Sequence, residues 1–365
     1  MPSHGWPWSP PSPDKMASVT AADTELGDVE WPGVSVVMPV LNEERYLAAA
    51  VGKVLDQDYP GELEVILSVG PSTDRTEEIA AELAAADRRV RVVPNPAART
   101  PHALNLGLAA ARHSIVMRVD GHGELTDGYI RRAVELLTET GAANVGGVME
   151  ARGTTPFEEA VAAAYTTRLG LGGATFHLAS SPAGEAETVF LGAFRKADVL
   201  AVGGFDESMH RAQDWELNYR LRRSGRRIWF SPELRVTYRP RSTLRELAAQ
   251  MYRTGMWRRE VMRRYPETVN LRYLAPPLAV LGVTGGTVLG LLGAVTGNRL
   301  LQAGFCAPVG YLAVVVAGSL TAPEETSLGA RLRIPLVLAA THLSWGLGFL
   351  VGLRRRGGTV SSPGR

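Results

Sequence analysis

Three long uncharged runs near the C-terminal end limit what this chain can become. Asp, Glu, Lys and Arg are absent from Tyr273 to Asn298, from Leu300 to Pro323 and from Ile334 to Leu353. Each run reaches the roughly 20 residues that a helix needs to cross the hydrocarbon core of a bilayer. Gly and Pro are frequent within them, which membrane helices tolerate better than water-soluble ones. A single run would suit a buried core helix, but three in succession predict transmembrane helices and a basic tail over residues 271–365. Arginines crowd both flanks, at 258, 259, 263, 264 and 272 before the first run and at 354, 355 and 356 after the last. Both flanks favour the cytoplasm, which requires an even number of crossings, whereas the length rule counts three runs. One run is therefore expected to be re-entrant or interfacial, or else the arginine tail lies outside.

The preceding region has a different texture. Residues 1–32 are rich in Pro, Ser and Trp without periodicity and lack the apolar core of a signal peptide, so they are expected to form a disordered leader. Beyond them, Val34–Val40, Leu63–Val69, Val90–Val93 and Ser114–Val119 read as buried strands. They alternate with helical patterns over Tyr46–Gln57, up to Ala86, and over Thr100–Arg112. This alternation predicts an α/β fold, a mostly parallel sheet flanked by helices. Helices are then expected over Tyr129–Thr140, Glu158–Leu169, Arg195–Val202 and Gln213–Arg223. Strands are expected over Ala143–Ala151, Thr188–Phe194, Arg226–Ser231 and Arg235–Arg239. The loose segment from Gly170 to Glu187 is long enough to be a mobile loop over a site. Leu244–Tyr265, rich in Arg and Met and carrying Trp257, is expected to lie on the bilayer surface.

Composition excludes several classes. A formal net charge of +2 and the lack of a long basic stripe argue against nucleic acid as a partner. The single Cys306 excludes a disulfide framework and a cysteine-built zinc site. Neither GxGxxG nor GxxxxGK(S/T) follows any strand, so two common phosphate-binding fingerprints are absent. The most telling local feature is the end of the fourth strand, Arg118-Val-Asp120-Gly-His122. A carboxylate there lies where open α/β sheets bind ligands. Asp and His two residues apart can share a divalent cation, the alternative being a loop-capping Asp120 and a solvated His122.

The series Pro39-x-x-Asn42-Glu43, Ser72-Thr73-Asp74-Arg75-Thr76, Leu104-Asn105-x-Gly107 and Arg118-x-Asp120-x-His122 resembles family 2 glycosyltransferases, which have a GT-A fold. Leu191-Gly192-Ala193-Phe194-Arg195, Gly203-Gly204-Phe205-Asp206-Glu207, Gln213-Asp214-Trp215-Glu216-Leu217-Asn218 and Gln250-x-x-Arg253-x-Gly255-x-Trp257 extend the likeness. It runs from Val34 to about Pro266, and within the family it is greatest to membrane-bound enzymes of exopolysaccharide assembly. The implied organisation is a GT-A domain over 33–240, an amphipathic interface helix over 241–270 and the membrane segment over 271–365.

The resemblance implies inverting, metal-dependent transfer of a sugar from a nucleotide-sugar, such as a UDP-sugar, to a polyprenyl-linked or growing polysaccharide acceptor. The enzyme would be a multi-pass plasma-membrane protein with a cytoplasmic catalytic domain. Asp214 is the implied catalytic base. Pro39, Asn42, Glu43, Asp74, Asn105 and Asp120 are implied in donor binding. Arg195, Glu216, Gln250, Arg253 and Trp257 are implied in acceptor binding, and Asp120 with His122 in holding Mn²⁺ or Mg²⁺. One departure concerns the nucleotide base: many family members carry an Asp before the Ser-Thr-Asp segment, where this chain has Val69-Gly70-Pro71. Alternative readings are a polyprenyl-phosphate sugar transferase, whose acceptor needs no base, and an inactive saccharide-binding membrane subunit.

Overall fold

The computed structural model describes residues 31–167, 169–170, 175–353, 355–356 and 359–360. The expected leader lies almost wholly outside the described residues. Valine-rich runs form β1 (Val34–Val40), β2 (Leu63–Val69), β3 (Val90–Pro94) and β4 (Ile115–Arg118), with β1, β2 and β4 almost wholly buried. Helices α1 (Leu47–Leu55), α2 (Thr76–Ala86) and α3 (Thr100–Ala110) connect them. The four strands are parallel in the order β3-β2-β1-β4. The strand order therefore reverses at β1, and the crevice beyond the carboxyl ends of β1 and β4 is a topological switch point. Gly107 lets α3 approach β1, since a Cβ there would stand 2.2 Å from Val37 Cγ1.

The second half of the sheet is mixed. It comprises β5 (Glu124–Leu125), α4 (Tyr129–Thr140), β6 (Asn144–Ala151), α5 (Pro156–Thr166), β7 (Gly184–Glu185), β8 (Phe190–Arg195), α6 (Lys196–Ala201), α7 (Gln213–Arg223) and β9 (Ile228–Tyr238). Strand β8 runs antiparallel to both β4 and β6, while β6 and β9 are parallel. Two expected strands are in fact one. Along β9 the register with β6 jumps from Gly146↔Phe230 to Val148↔Arg235, so the stretch containing Pro232 arches out of the ladder. Proline has no N–H for such a ladder. The expected loop over Gly170–Glu187 also proves partly structured. His177 is buried, and Gly184–Glu185 pairs with β9 at the sheet edge.

The chain ends in helices α8 (Leu244–Arg264), α9 (Leu271–Thr296), α10 (Arg299–Gln302), α11 (Cys306–Ser319), α12 (Leu328–Arg331) and α13 (Ile334–Val351). Among the described residues, three segments are long and apolar enough to cross a membrane: Leu271–Thr296, Arg299–Ser319 and Leu328–Val351. The surface helix expected over 244–265 is placed differently. Leu247, Met251, Gly255, Met256 and Val261 of α8 are buried, with α13 packed along the helix. The contact is backbone to backbone, because a Cβ at Gly255 would lie 1.9 Å from the Trp345 carbonyl oxygen, and one at Gly348 would lie 1.9 Å from that of Tyr252. An amphipathic stripe shows that a face must be covered but does not specify whether lipid or protein covers it. An apolar core spanning α5, α8, α12 and α13 thus joins the sheet to the apolar helices.

Candidate active site

The loops after β1 and β2 are laced together. Asn42 adopts a left-handed conformation (φ 56°), a region that asparagine tolerates better than most residues. Its backbone N–H donates to Ser72 Oγ at 3.1 Å, and its Oδ1 accepts from the Thr73 N–H at 2.8 Å. Thr76 Oγ1 accepts from the Glu43 N–H at 2.7 Å. Asp74 Oδ1 accepts from the N–H and hydroxyl of Thr76, and Oδ2 from the Glu44 N–H. Asp74 therefore ties the start of α2 to the β1 loop. Pro39, Asn42, Glu43 and Asp74 share one edge of the sheet.

Beside them, β4 delivers the charged centre. Arg118 is 7% exposed, at the end of an otherwise apolar strand. Its Nε donates to Asp120 Oδ1 at 2.9 Å, with Nη2 2.8 Å from the same oxygen, while Nη1 donates to Oδ1 of Asp214 in the first turn of α7. One guanidinium thus bridges two carboxylates from distant parts of the chain. The two carboxylates respond in opposite directions. Burial works against the charge on Asp120, but Arg118 and then His122 outweigh it and hold the carboxyl below the ordinary range. Burial pushes Asp214 up, and the neighbouring Asp120 charge adds to this against the pull of Arg118. Two acids whose environments drive them apart are suited to different tasks, one remaining an anionic ligand and the other becoming a stronger base.

His122 completes the cluster. Its Nδ1 lies 2.8 Å from Glu43 Oε1, and that hydrogen bond holds the imidazole pKa above its usual value. Among the described residues no group of three or more His, Cys, Asp or Glu is arranged around one point. The donor set nonetheless fits a divalent cation with an open coordination sphere. Asp120 would contribute a carboxylate, and metal-bound histidines commonly give their second ring nitrogen to a carboxylate in the way His122 meets Glu43. Cations that bind substrate phosphates often take only one or two protein carboxylates.

Other expected site residues do not converge here. Arg195 ends β8 opposite Ile115, at the far end of β4 from Asp120, and donates to the Leu137 and Ala142 carbonyls. Because β8 is antiparallel to β4, its last residue emerges at the opposite end of the strands from Asp120. The Asn105 amide is spent on the backbone of Phe205 and on Glu207, fastening α3 to the Gly203–Glu207 turn. Glu216 is 1% exposed and bonds Arg220 and the Tyr265 hydroxyl, so it is a strut within the fold. Trp257 is buried with Met209, Trp215 and Tyr219, its ring 5.5 Å from that of His210. Gln250 accepts from Arg241 Nε at 3.0 Å and donates to Tyr238 Oη at 3.2 Å. The residue that sequence reasoning left without a role is Arg118. Its one signal is a charge inside an apolar strand.

Comparison with known proteins now bears on this geometry. The family model for Glycosyl transferase family 2 matches residues 35–185. Succinoglycan biosynthesis protein ExoA of Rhizobium meliloti (strain 1021) is 33% identical over 330 residues, covering 88% of this chain and 96% of that protein. The chain belongs to glycosyltransferase family 2. A more distant relative in Methanococcus voltae is dolichyl N-acetyl-alpha-D-glucosaminyl phosphate 3-beta-D-2,3-diacetamido-2,3-dideoxy-beta-D-glucuronosyltransferase, 24% identical across 61% of this chain and 71% of its own length. Among solved structures, the mannosyltransferase PcManGT from Pyrobaculum calidifontis, in complex with GDP-Man and Mn²⁺, superposes with a TM-score of 0.53 at 17% identity, over 88% of this chain and 87% of that one. That likeness establishes the fold, a GT-A-like sheet of this family-2 enzyme followed by helices apolar enough to span a membrane.

Proposed function

We propose that this glycosyltransferase transfers a sugar, with inversion, from a nucleotide-sugar to a polyprenyl-linked or growing polysaccharide acceptor at the cytoplasmic face of the plasma membrane. The observation that carries the reading is the Arg118 bridge, which holds Asp120 and Asp214 in opposite protonation tendencies at the ligand edge of the sheet. Asp214 takes the proton from an acceptor hydroxyl as its oxygen attacks the anomeric carbon. The bond from that carbon to the nucleoside diphosphate breaks on the opposite face, and the leaving group departs as an anion. Asp120 and His122 Nε2 would hold a divalent cation, Mn²⁺ or Mg²⁺, which neutralises charge gathering on the diphosphate. Glu43 fixes the imidazole, and Arg118 fixes both carboxylates. The relationship to a succinoglycan biosynthesis protein over nearly its whole length supports the glycan acceptor.

The test is a donor screen with membranes and radiolabelled nucleotide-sugars, with and without Mn²⁺, for wild type and Asp214→Asn. A lipid-extractable product that needs metal is expected. Asp214→Asn should lower the transfer rate by about 10²–10⁴, the usual worth of a positioned base, with donor binding retained. Near-full activity of Asp214→Asn would mean that the acceptor is already an anion, as a polyprenyl phosphate is. Equal turnover in chelator would remove the metal from the mechanism.

A further inference from the structure

Outside the charged centre, five side-chain rings close into a circuit. Tyr165 of α5 meets His177 with ring centroids 6.0 Å apart, and His177 meets Phe176 at 4.3 Å. Phe176 meets Phe190 at the start of β8 (6.5 Å), and Phe190 meets Tyr238 at the end of β9 (6.3 Å). Tyr238 then returns to Tyr165 at 6.4 Å. Ring pairs at these separations pack a core well, and packing alone would account for them. It does not account for two polar atoms of the circuit. Tyr165 is 2% and His177 8% exposed, and among the described residues the Tyr165 hydroxyl and His177 Nδ1 have no hydrogen-bond partner. The Tyr238 hydroxyl, by contrast, accepts from Gln250 Nε2 at 3.2 Å. A buried polar group left unpaired costs stability, so this pair calls for a partner with donors and acceptors of its own. Phe176, Phe190 and Tyr238 are only half-buried, which gives the circuit an accessible side.

The circuit stands beside the Arg118 bridge. Gly192 is the register partner of Arg118, and Phe190 lies two residues before it, no more than about 7 Å along the chain. Asn218, one turn beyond Asp214 on α7, donates to Thr188 Oγ1 at 2.9 Å, again next to Phe190. The side matters as well as the distance. In the sheet order β3-β2-β1-β4-β8-β6-β9, the β1 and β2 loops, expected to hold the donor, lie on one side of β4 and the aromatic circuit on the other. Tyr165, Phe176, Phe190 and Tyr238 also belong to the apolar core that reaches α12 and α13. The unpaired atoms are neutral: burial, with Arg272 adding to it, pushes the His177 imidazole down to about 4. A phenol and a neutral imidazole match hydroxyl groups, whereas a phosphate is best met by cations.

We propose that Tyr165, Phe176, His177, Phe190 and Tyr238 form the subsite for the sugar ring of the acceptor. The ring stacks on the half-buried aromatics, and one of its hydroxyl arms bonds Tyr165 Oη and His177 Nδ1. This rests on the saccharide acceptor proposed above. Binding to the full chain in lipid nanodiscs is measured by saturation-transfer NMR, with cellobiose, lactose, N,N′-diacetylchitobiose, UDP and GDP as probes. At least one disaccharide should receive saturation from wild type. Tyr165→Phe and His177→Leu each remove one hydrogen bond and should weaken its binding about three- to tenfold. His177→Asn, whose amide reaches the place of Nδ1, should restore part of the loss. UDP and GDP should bind every variant within about twofold of wild type. Without sugar, Tyr165→Phe should melt at the same temperature as wild type or higher, because an unpaired hydroxyl leaves a buried place. Absence of disaccharide binding to wild type, or unchanged binding in either Tyr165→Phe or His177→Leu, would overturn the proposal. So would a parallel loss of nucleotide binding, which would give the rings to the donor, or a lowered melting temperature of Tyr165→Phe, which would give the hydroxyl to the fold. No turnover enters this measurement. Disaccharide binding alongside near-full activity of Asp214→Asn would therefore sink the catalytic reading and leave the subsite standing.

Discussion

Arg118 shows how much of a site can depend on one guanidinium. Replacing it with Met would leave the half-buried Asp120 and Asp214 facing each other without a cation. Their remaining contact with water makes this cheaper than breaking a fully buried pair, but Arg118→Met should still unfold at a lower temperature as well as lose transfer. Arg118→Lys keeps the charge but lacks the fork that reaches both acids. It is expected to fold, bind donor and transfer poorly, a split seen by comparing nucleotide binding with turnover. His122 makes a second prediction. Imidazole is a softer ligand than carboxylate, so wild type should favour Mn²⁺ and His122→Asp should move the preference toward Mg²⁺. Glu43→Gln should weaken Mn²⁺ binding by about 10–100-fold through the imidazole it orients. An unchanged metal profile in both variants would place His122 outside the coordination sphere. The sequence carries Asp120 and His122 legibly, because polar residues at the end of an apolar strand stand out. It does not carry the Arg118–Asp214 bond, which joins positions 96 apart in the chain. Nor does it reveal that Arg195 leaves β8 at the far end of the strands, since spacing along a chain contains no strand direction.

Among the elements, α8 departs most from its sequence pattern, and the reason lies in the helix it meets. Its apolar stripe and arginines suit a membrane surface, but Gly255 and Gly348 let α8 and α13 touch along their backbones. Gly255→Ala and Gly348→Ala should each lower the melting temperature in detergent, because the added carbon meets a carbonyl oxygen that cannot move alone. Gly282→Ala, with open space around it, should be neutral or should stabilise α9 by up to about 1 kcal/mol. The far end of α8 is held differently. Glu260, 5% exposed, bonds Arg263 and Arg264, and Arg264 reaches Asp206 and Ser208 in the turn before α7. The Arg263 hydrogen bond, aided by Arg264 and opposed by burial, pulls the Glu260 carboxyl from 4.5 down to about 2. A depressed folded-state pKa gives stability that is present above the unfolded value and lost as pH falls through the folded one. The anchor should therefore weaken between about pH 4.5 and 2, and Glu260→Gln should flatten that part of the pH–stability curve while costing stability at neutral pH.

For the whole molecule, the three apolar segments are not equivalent, and this decides how the chain sits in a membrane. Helices α9 and α11 turn Leu281, Val288, Leu292, Val309, Leu312 and Val316 outward. They form a hairpin closed by Gly297 (φ 68°) and Asn298, and clasped where Gly286 and Gly290 meet Gly304. Both open ends of the hairpin return to the catalytic domain: Arg258 stacks 4.2 Å above the Tyr273 ring, and Gly318 meets Leu169. Helix α13 has more protein cover than these two: Ile334, Val337, Leu338 and Trp345 are buried, while Leu336, Leu347 and Val351 stay exposed. It packs on α8 and, where Gly346 meets Pro276, on the first turns of α9, with a smaller contact to α5, and Gly352 just beyond it lies against Arg259. Lipid is needed only where apolar surface lacks a protein cover, so α9 and α11 are expected to cross the bilayer and α13 to remain docked on the domain side. Two crossings put every arginine-rich flank on one side, as the charge rule demands. In a Cys306→Ser background, Asp127→Cys on the domain and Ser361→Cys in the tail should then react with a membrane-impermeant maleimide from the same side, and Thr296→Cys at the hairpin tip from the other. A tail that labels together with Thr296 would mean that α13 leaves α8 to cross. In that case the Gly255–Trp345 contact could not persist, and Gly255→Ala would lose its effect on stability.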